Sequence, residues 1–118
     1  MKRTFLFTSL LISLNSWSTP ITIDAVKFSD LGGQRYRVDV SLVHADSGWD
    51  HYANRWWLED DNGNVLGERV LAHPHVNEQP FTRSQTIHIP STLESVVVKA
   101  SENRDSDEIA RKLILLPQ

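Results

Sequence analysis

RYRVDVSL, residues 35–42, alternates without a break, with Tyr36, Val38, Val40 and Leu42 on one side and Arg35, Arg37, Asp39 and Ser41 on the other. Period two marks a strand with one buried and one wet face. Upstream, Ile21 to Phe28 reads as a first strand whose apolar parity shifts near Ala25-Val26, which predicts a bulge or two short pieces, and Asp30-Leu31-Gly32-Gly33 reads as a turn. Downstream, His51 to Asp60 and Val65 to His73 flank Asp61-Asn62-Gly63, a hairpin signal, and Pro74 with the polar run to Pro80 ends the second of these strands. Ser84 to Ile89, stopped by Pro90, and Ser95 to Ser101, with Val96, Val98 and Ala100 in alternation, supply two more. Glu102 to Glu108 is a charged loop. In the last apolar segment, Ile109 to Leu116, a short helix capped by Asp105 and Glu108 competes with a strand over Lys112 to Leu116. The strand is preferred because a sandwich needs a closing strand. About seven strands at roughly ten-residue spacing predict an all-β, immunoglobulin/fibronectin-like β-sandwich.

The N-terminus has the three parts of a secretory signal peptide: Lys2 and Arg3, an apolar run from Phe5 to Leu14, and small residues around Ser16-Trp17-Ser18. Residues 1–18 are therefore expected to be a signal peptide and residues 19–118 a single domain, periplasmic or secreted. The run is short of the roughly 20 apolar residues that a spanning helix needs, and no cysteine follows it to carry a lipid. No membrane anchor is expected after cleavage. Removing residues 1–18 leaves ten Lys and Arg against fifteen Asp and Glu. An acidic domain without a basic stripe is unsuited to nucleic acid, since phosphate binding needs clustered cations. The absence of cysteine means that the core must hold without disulfides, unlike many exported domains of this size.

Two registers compete for the hairpin at Asn62-Gly63. A two-residue loop pairs Trp56 with Arg69 and Leu58 with Gly67. A three-residue loop with Gly63 left-handed pairs Asp60 with Asn64, then Leu58 with Leu66 and Asn54 with Val70. The second collects Tyr52, Trp56, Leu58, Leu66, Val70 and Ala72 on one face and is preferred, because a one-residue slip mixes apolar with charged residues. It places His51 opposite His73 on the outer face, with His75 near Trp49, and turns Arg55 and Trp57 outward.

His73-Pro74-His75 is a His-X-His element, which in an extended chain points both imidazoles the same way. Neutral imidazole suits zinc and copper. His51, His73, His75 and His44 are therefore candidate metal ligands, with Asp46, Asp50 and Glu78 as carboxylates to complete a shell. The plainer reading has these histidines hydrogen-bonding Asp46, Asp50 and Glu78 and so ordering two long loops, around His44–His51 and His73–Glu78, that meet at one end of the sandwich. Trp57, Arg55 and Trp49 offer a metal-free alternative, an interaction surface for an envelope protein, because Trp and Arg are favoured at binding hot spots. For Trp57 the plainer reading is cover by a neighbouring loop or sheet. An enzyme is a weaker reading. Ser47, Asp50 and His51 are triad residue types, but neighbours on a strand point to opposite faces and no nucleophile elbow is present. A small hydrolase built on histidine and carboxylate acid–base chemistry is the third alternative, and no catalytic residue is assigned.

HADSGWDHYANRWW (residues 44–57), followed by VLGERVLAHPHVNEQPFTRS (65–84), resembles an uncharacterised family of small exported bacterial proteins. The likeness spans about residues 25–100 and implies export but no activity. Relatives of this kind often carry a His- and Gly-rich loop before the final strand. Here that place reads Ser101-Glu102-Asn103-Arg104-Asp105-Ser106-Asp107-Glu108, without histidine.

Overall fold

The computed structural model describes residues 20–105 and 107–117. The expected signal peptide, residues 1–18, lies outside them. Seven strands form two antiparallel sheets, and there is no helix among the described residues. The strands are β1 (Thr22–Gly32), β2 (Arg35–Val43), β3 (Ala53–Glu59), β4 (Val65–Val70), β5 (Phe81–His88), β6 (Ser95–Glu102) and β7 (Ile109–Leu115). One sheet has the order β1-β2-β5 and the other β4-β3-β6-β7. The last segment is a strand rather than a capped helix, and it closes the second sheet against β6.

The core follows from period two. Val38, Val40 and Leu42 of β2 face Trp56 and Leu58 of β3 and Val96, Val98 and Ala100 of β6, and all are buried. Phe81, Ile87 and Ile89 fill the β5 side, and Ile21 and Ile23 the β1 side. Each large apolar side chain buried here contributes about 1.5–3 kcal/mol, which is how a chain without cysteine holds its two layers together. The bulge expected in β1 falls between Ile23 and Ala25. The strand then runs through the expected turn residues to Gly32, and the reversal is made by Gly33 and Gln34, both at φ 65°. Two successive left-handed residues match the twist of the flanking strands.

The central hairpin corrects the preferred register. Its turn closes as that register requires: Asp60 N donates to Asn64 O (2.9 Å), Gly63 N donates to Asp60 O (3.1 Å), and Gly63 is left-handed at φ 84°. Glu59 then pairs with Val65 but Leu58 with Gly67, so a bulge at Leu66 adds one residue to β4. Beyond the bulge Trp56 pairs with Arg69 and Arg55 with Val70. Gly67, Arg69 and Leu71 therefore point inward, while Val70 is 64% exposed. At Gly67 the two sheets approach closely, since a Cβ there would lie 2.7 Å from Ile87 Cγ1. Arg69 crosses the open edge between the sheets to donate to Ser84 O (2.6 Å).

Strand directions bring the β2–β3, β4–β5 and β6–β7 connections to one end, because Leu42 pairs with Phe81, Arg55 with Val70 and Ala53 with Glu102. The expected meeting of the first two is observed: His44 N donates to Gln79 Oε1 (3.0 Å), and His75 N to Asp46 Oδ2 (2.8 Å).

Candidate metal centre

At this end the core stripes of two strands change from apolar to ionisable without changing parity. Leu42 of β2 is followed at the same side by His44 and Asp46, and Ala100 of β6 by Glu102; all three polar side chains are buried. His51 joins them from the tight turn before β3, where Ser47 N donates to His51 O (3.0 Å) and His51 N to Gly48 O (3.1 Å). The potential ligand atoms of His44, His51 and Glu102 all lie within 4.8 Å of one another. Their side chains are 0%, 8% and 1% exposed.

The hydrogen bonds fix which ring nitrogens and carboxylate oxygens face inward. Asp46 Oδ1 accepts His44 Nδ1–H (2.6 Å) and Ala53 N–H (3.0 Å), and Oδ2 accepts His75 N–H (2.8 Å). With Nδ1 held by Asp46, His44 directs Nε2 toward Glu102 Oε2 at 3.8 Å, and that Nε2 is buried with no hydrogen-bond partner. Glu102 Oε2 also contacts His51 Nε2, while Glu102 Oε1 accepts Asp105 N–H. The His44 and His51 rings meet edge-on at 4.8 Å between centroids. A carboxylate orienting one imidazole nitrogen so that the other is free is the usual support of a metal-bound histidine.

The remaining candidate residues are placed elsewhere. His73 is exposed, donates Nδ1–H to Pro74 O (2.9 Å), and does not face His51. The segment after Val70 is not a strand, yet the His73 and His75 rings lie side by side, His73 exposed and His75 buried. His75 is 4% exposed, stacked on Phe81 at 3.9 Å between centroids and tilted against His73 at 4.6 Å, with neither ring nitrogen hydrogen-bonded. Its Nδ1 stands 4.0 Å from Asp46 Oδ2. Burial, with the positive charges of Arg83 and His73 nearby, pushes the His75 pKa below the ordinary histidine value. Asp50 is exposed, and Glu78 is an exposed partner of Arg83 (3.2 Å). Glu102 is missing from the sequence-derived ligands because its segment reads as a charged loop. The signal for it was the unbroken parity from Val96 through Ala100.

Trp57 does lie on the outer face, but it is only 6% exposed. The Arg55 guanidinium covers its ring at 4.0 Å, and its Nε1–H donates to Glu59 Oε2 (2.7 Å). Arg55 is held in turn by Glu68 (2.5 Å). The interaction reading therefore loses Trp57 as an accessible anchor, and the aromatic exposed near the loops is Trp49, at 65%. The hydrogen bond from Trp57, followed by Lys99 at 2.9 Å, holds the Glu59 pKa below its ordinary value of 4.5. A folded-state pKa that is depressed adds stability above the unfolded value, and that stability is lost as pH falls through the folded value. Glu59→Gln is expected to cost about 0.5–1 kcal/mol at neutral pH after screening. In urea titrations the deficit should shrink as pH falls below 4.5 and through the lower folded value, and a deficit that does not change with pH would contradict this account.

The chain is 40% identical over 77 residues to a curated protein of Halomicrobium mukohataei named "Putative lipoprotein". The match covers 65% of this chain and 38% of that protein, so the chain spans well under half of the relative's length. No family model and no solved structure matches the chain.

Proposed function

We propose that this is an exported envelope module, periplasmic or secreted, that binds one divalent transition-metal ion through His44, His51 and Glu102. The observation that carries the metal reading is the buried, unpartnered Nε2 of His44 facing the Glu102 carboxylate at 3.8 Å, with His51 beside it. A buried ring nitrogen without a hydrogen-bond partner is unfavourable, and a cation shared with His51 and Glu102 would give the His44 Nε2 a partner. Ligands of one zinc ion, each at about 2.0–2.2 Å, stand roughly 3.4 Å apart, so small side-chain adjustments suffice. Two imidazoles and a carboxylate form a borderline donor set without sulfur, suited to Zn²⁺ and also to Cu²⁺.

Export is supported by the signal-like N-terminus, by the resemblance to small exported proteins and by the name of the relative. Lipid attachment is not carried over, because the sequence contains no cysteine. The three-plus-four strand order supports the immunoglobulin- or fibronectin-like reading of the sandwich. Side chains only 0–8% exposed argue against the hydrolase alternative, since a substrate would meet little of the reacting groups.

Calorimetric titration with Zn²⁺ and with Cu²⁺ tests the metal reading. The protein is expected to bind one equivalent, His44→Ala to bind at least about 100-fold more weakly, and His73→Ala to bind as the parent does. Equal, weak binding by all three proteins would remove the metal from the account.

A further inference from the structure

Resting on the metal reading, we infer that the ion is a structural clasp for the loop end: its loading fixes the turn at residues 47–51 and the start of the β6–β7 connection, residues 103–105, together. Three observations carry this. First, with ligand side chains 0–8% exposed, an ion at this position is closed to substrates, as in structural rather than catalytic sites. Second, each ligand sits where a strand gives way to a connection: His44 directly follows β2, His51 closes the Gly48–His51 turn and Glu102 ends β6. His51 and Glu102 are 51 positions apart in the chain, so a shared ion closes a long loop.

Third, the bonds that shape the two connections start from the ligand residues or their direct neighbours. Glu102 Oε1 accepts Asp105 N–H. Asn103 donates Nδ2–H to Trp49 O (2.9 Å) and accepts Tyr52 N–H on Oδ1 (2.8 Å), and its own N–H goes to Tyr52 O (3.0 Å). The two connections are thus zipped through Asn103, immediately beyond the ligand Glu102. An exported domain without cysteine has a use for such a closure, because a metal is one of the means by which small domains replace a disulfide staple. Coordination through Glu102 Oε2 leaves Oε1 on Asp105, so the clasp and the loop bond hold at once.

Hydrogen exchange of the purified full chain, with Zn²⁺ and after chelation, tests the clasp, with calorimetry run on the same samples. Exchange in residues 47–52 and 103–105 is expected to slow at least about tenfold on loading, while the β1–β2 turn at the opposite end, residues 32–35, stays unchanged. Glu102→Gln, which keeps an oxygen for Asp105 N–H and nearly the same volume, is expected to lose the Zn²⁺-dependent protection. Tight one-to-one binding without a change in those loops would overturn the clasp and leave the metal reading standing. Absence of binding in calorimetry would overturn both.

Discussion

Replacing Asp46 by alanine is expected to destabilise the protein by about 3–5 kcal/mol, read as a fall in the urea midpoint with an unchanged slope. Asp46 is 6% exposed and accepts three N–H groups, those of His44 Nδ1, Ala53 and His75. Each buried donor orphaned by the loss of the carboxylate costs about 1–3 kcal/mol. The three donors lie in the β2–β3 connection, at the start of β3 and in the β4–β5 connection, so the loss spreads across both sheets. Domains of this size are stable by only about 5–15 kcal/mol, so the variant should be partly unfolded at 37 °C. Asp46→Asn keeps one acceptor oxygen but turns an amide N–H₂ toward a donor, so an intermediate loss is expected. It also removes the carboxylate that holds the His44 proton on Nδ1, and metal affinity should fall about 10–100-fold. A change of less than 1 kcal/mol for Asp46→Ala would show that the Asp46 bonds do not organise this end.

Much of the centre is legible in the sequence once strand parity is carried past the last apolar residue. The alternation from Tyr36 to Leu42 extends to His44 and Asp46, and that from Val96 to Ala100 extends to Glu102. A polar residue next to a charged run looks like loop, so Glu102 is lost if the strand is ended at Ser101. The hairpin shows the opposite limit. Asp60, Asn62, Gly63 and Asn64 specify the turn, but Leu66-Gly67 and Val70-Leu71 give apolar residues of both parities. Only tertiary packing, with Ile87 approaching Gly67, selects the bulge. At His73-Pro74-His75 the chain is not a strand, and although the two rings meet as the His-X-His spacing implies, one is wet and the other buried, which alternation alone does not reveal.

That buried imidazole gives the second large effect, and it has the opposite sign. His75→Leu is expected to stabilise the protein by about 1–2 kcal/mol at pH 7.5, because the parent buries two ring nitrogens without partners and each such group carries a desolvation penalty. The face-to-face contact with Phe81 at 3.9 Å is lost, but leucine of similar volume fills the same apolar wall, and the Asp46 bond survives because it comes from the His75 backbone. The advantage should widen as the solution is acidified. The folded-state pKa of His75 is depressed below the ordinary 6.5, first by burial and then by Arg83 and His73. Between the two pKa values the unfolded chain binds a proton that the native protein does not, so this site takes stability away as pH falls from 6.5 through the folded value. Leucine has no such proton, and urea midpoints of parent and variant should diverge between pH 7.5 and 5. Calorimetry on the same variant distinguishes a packing role from a ligand role: unchanged Zn²⁺ affinity places His75 outside the coordination shell, whereas a loss comparable to that of His44→Ala would bring it in. If the variant is instead destabilised at every pH, the stacking against Phe81 outweighs the orphaned nitrogens, and His75 is retained for packing.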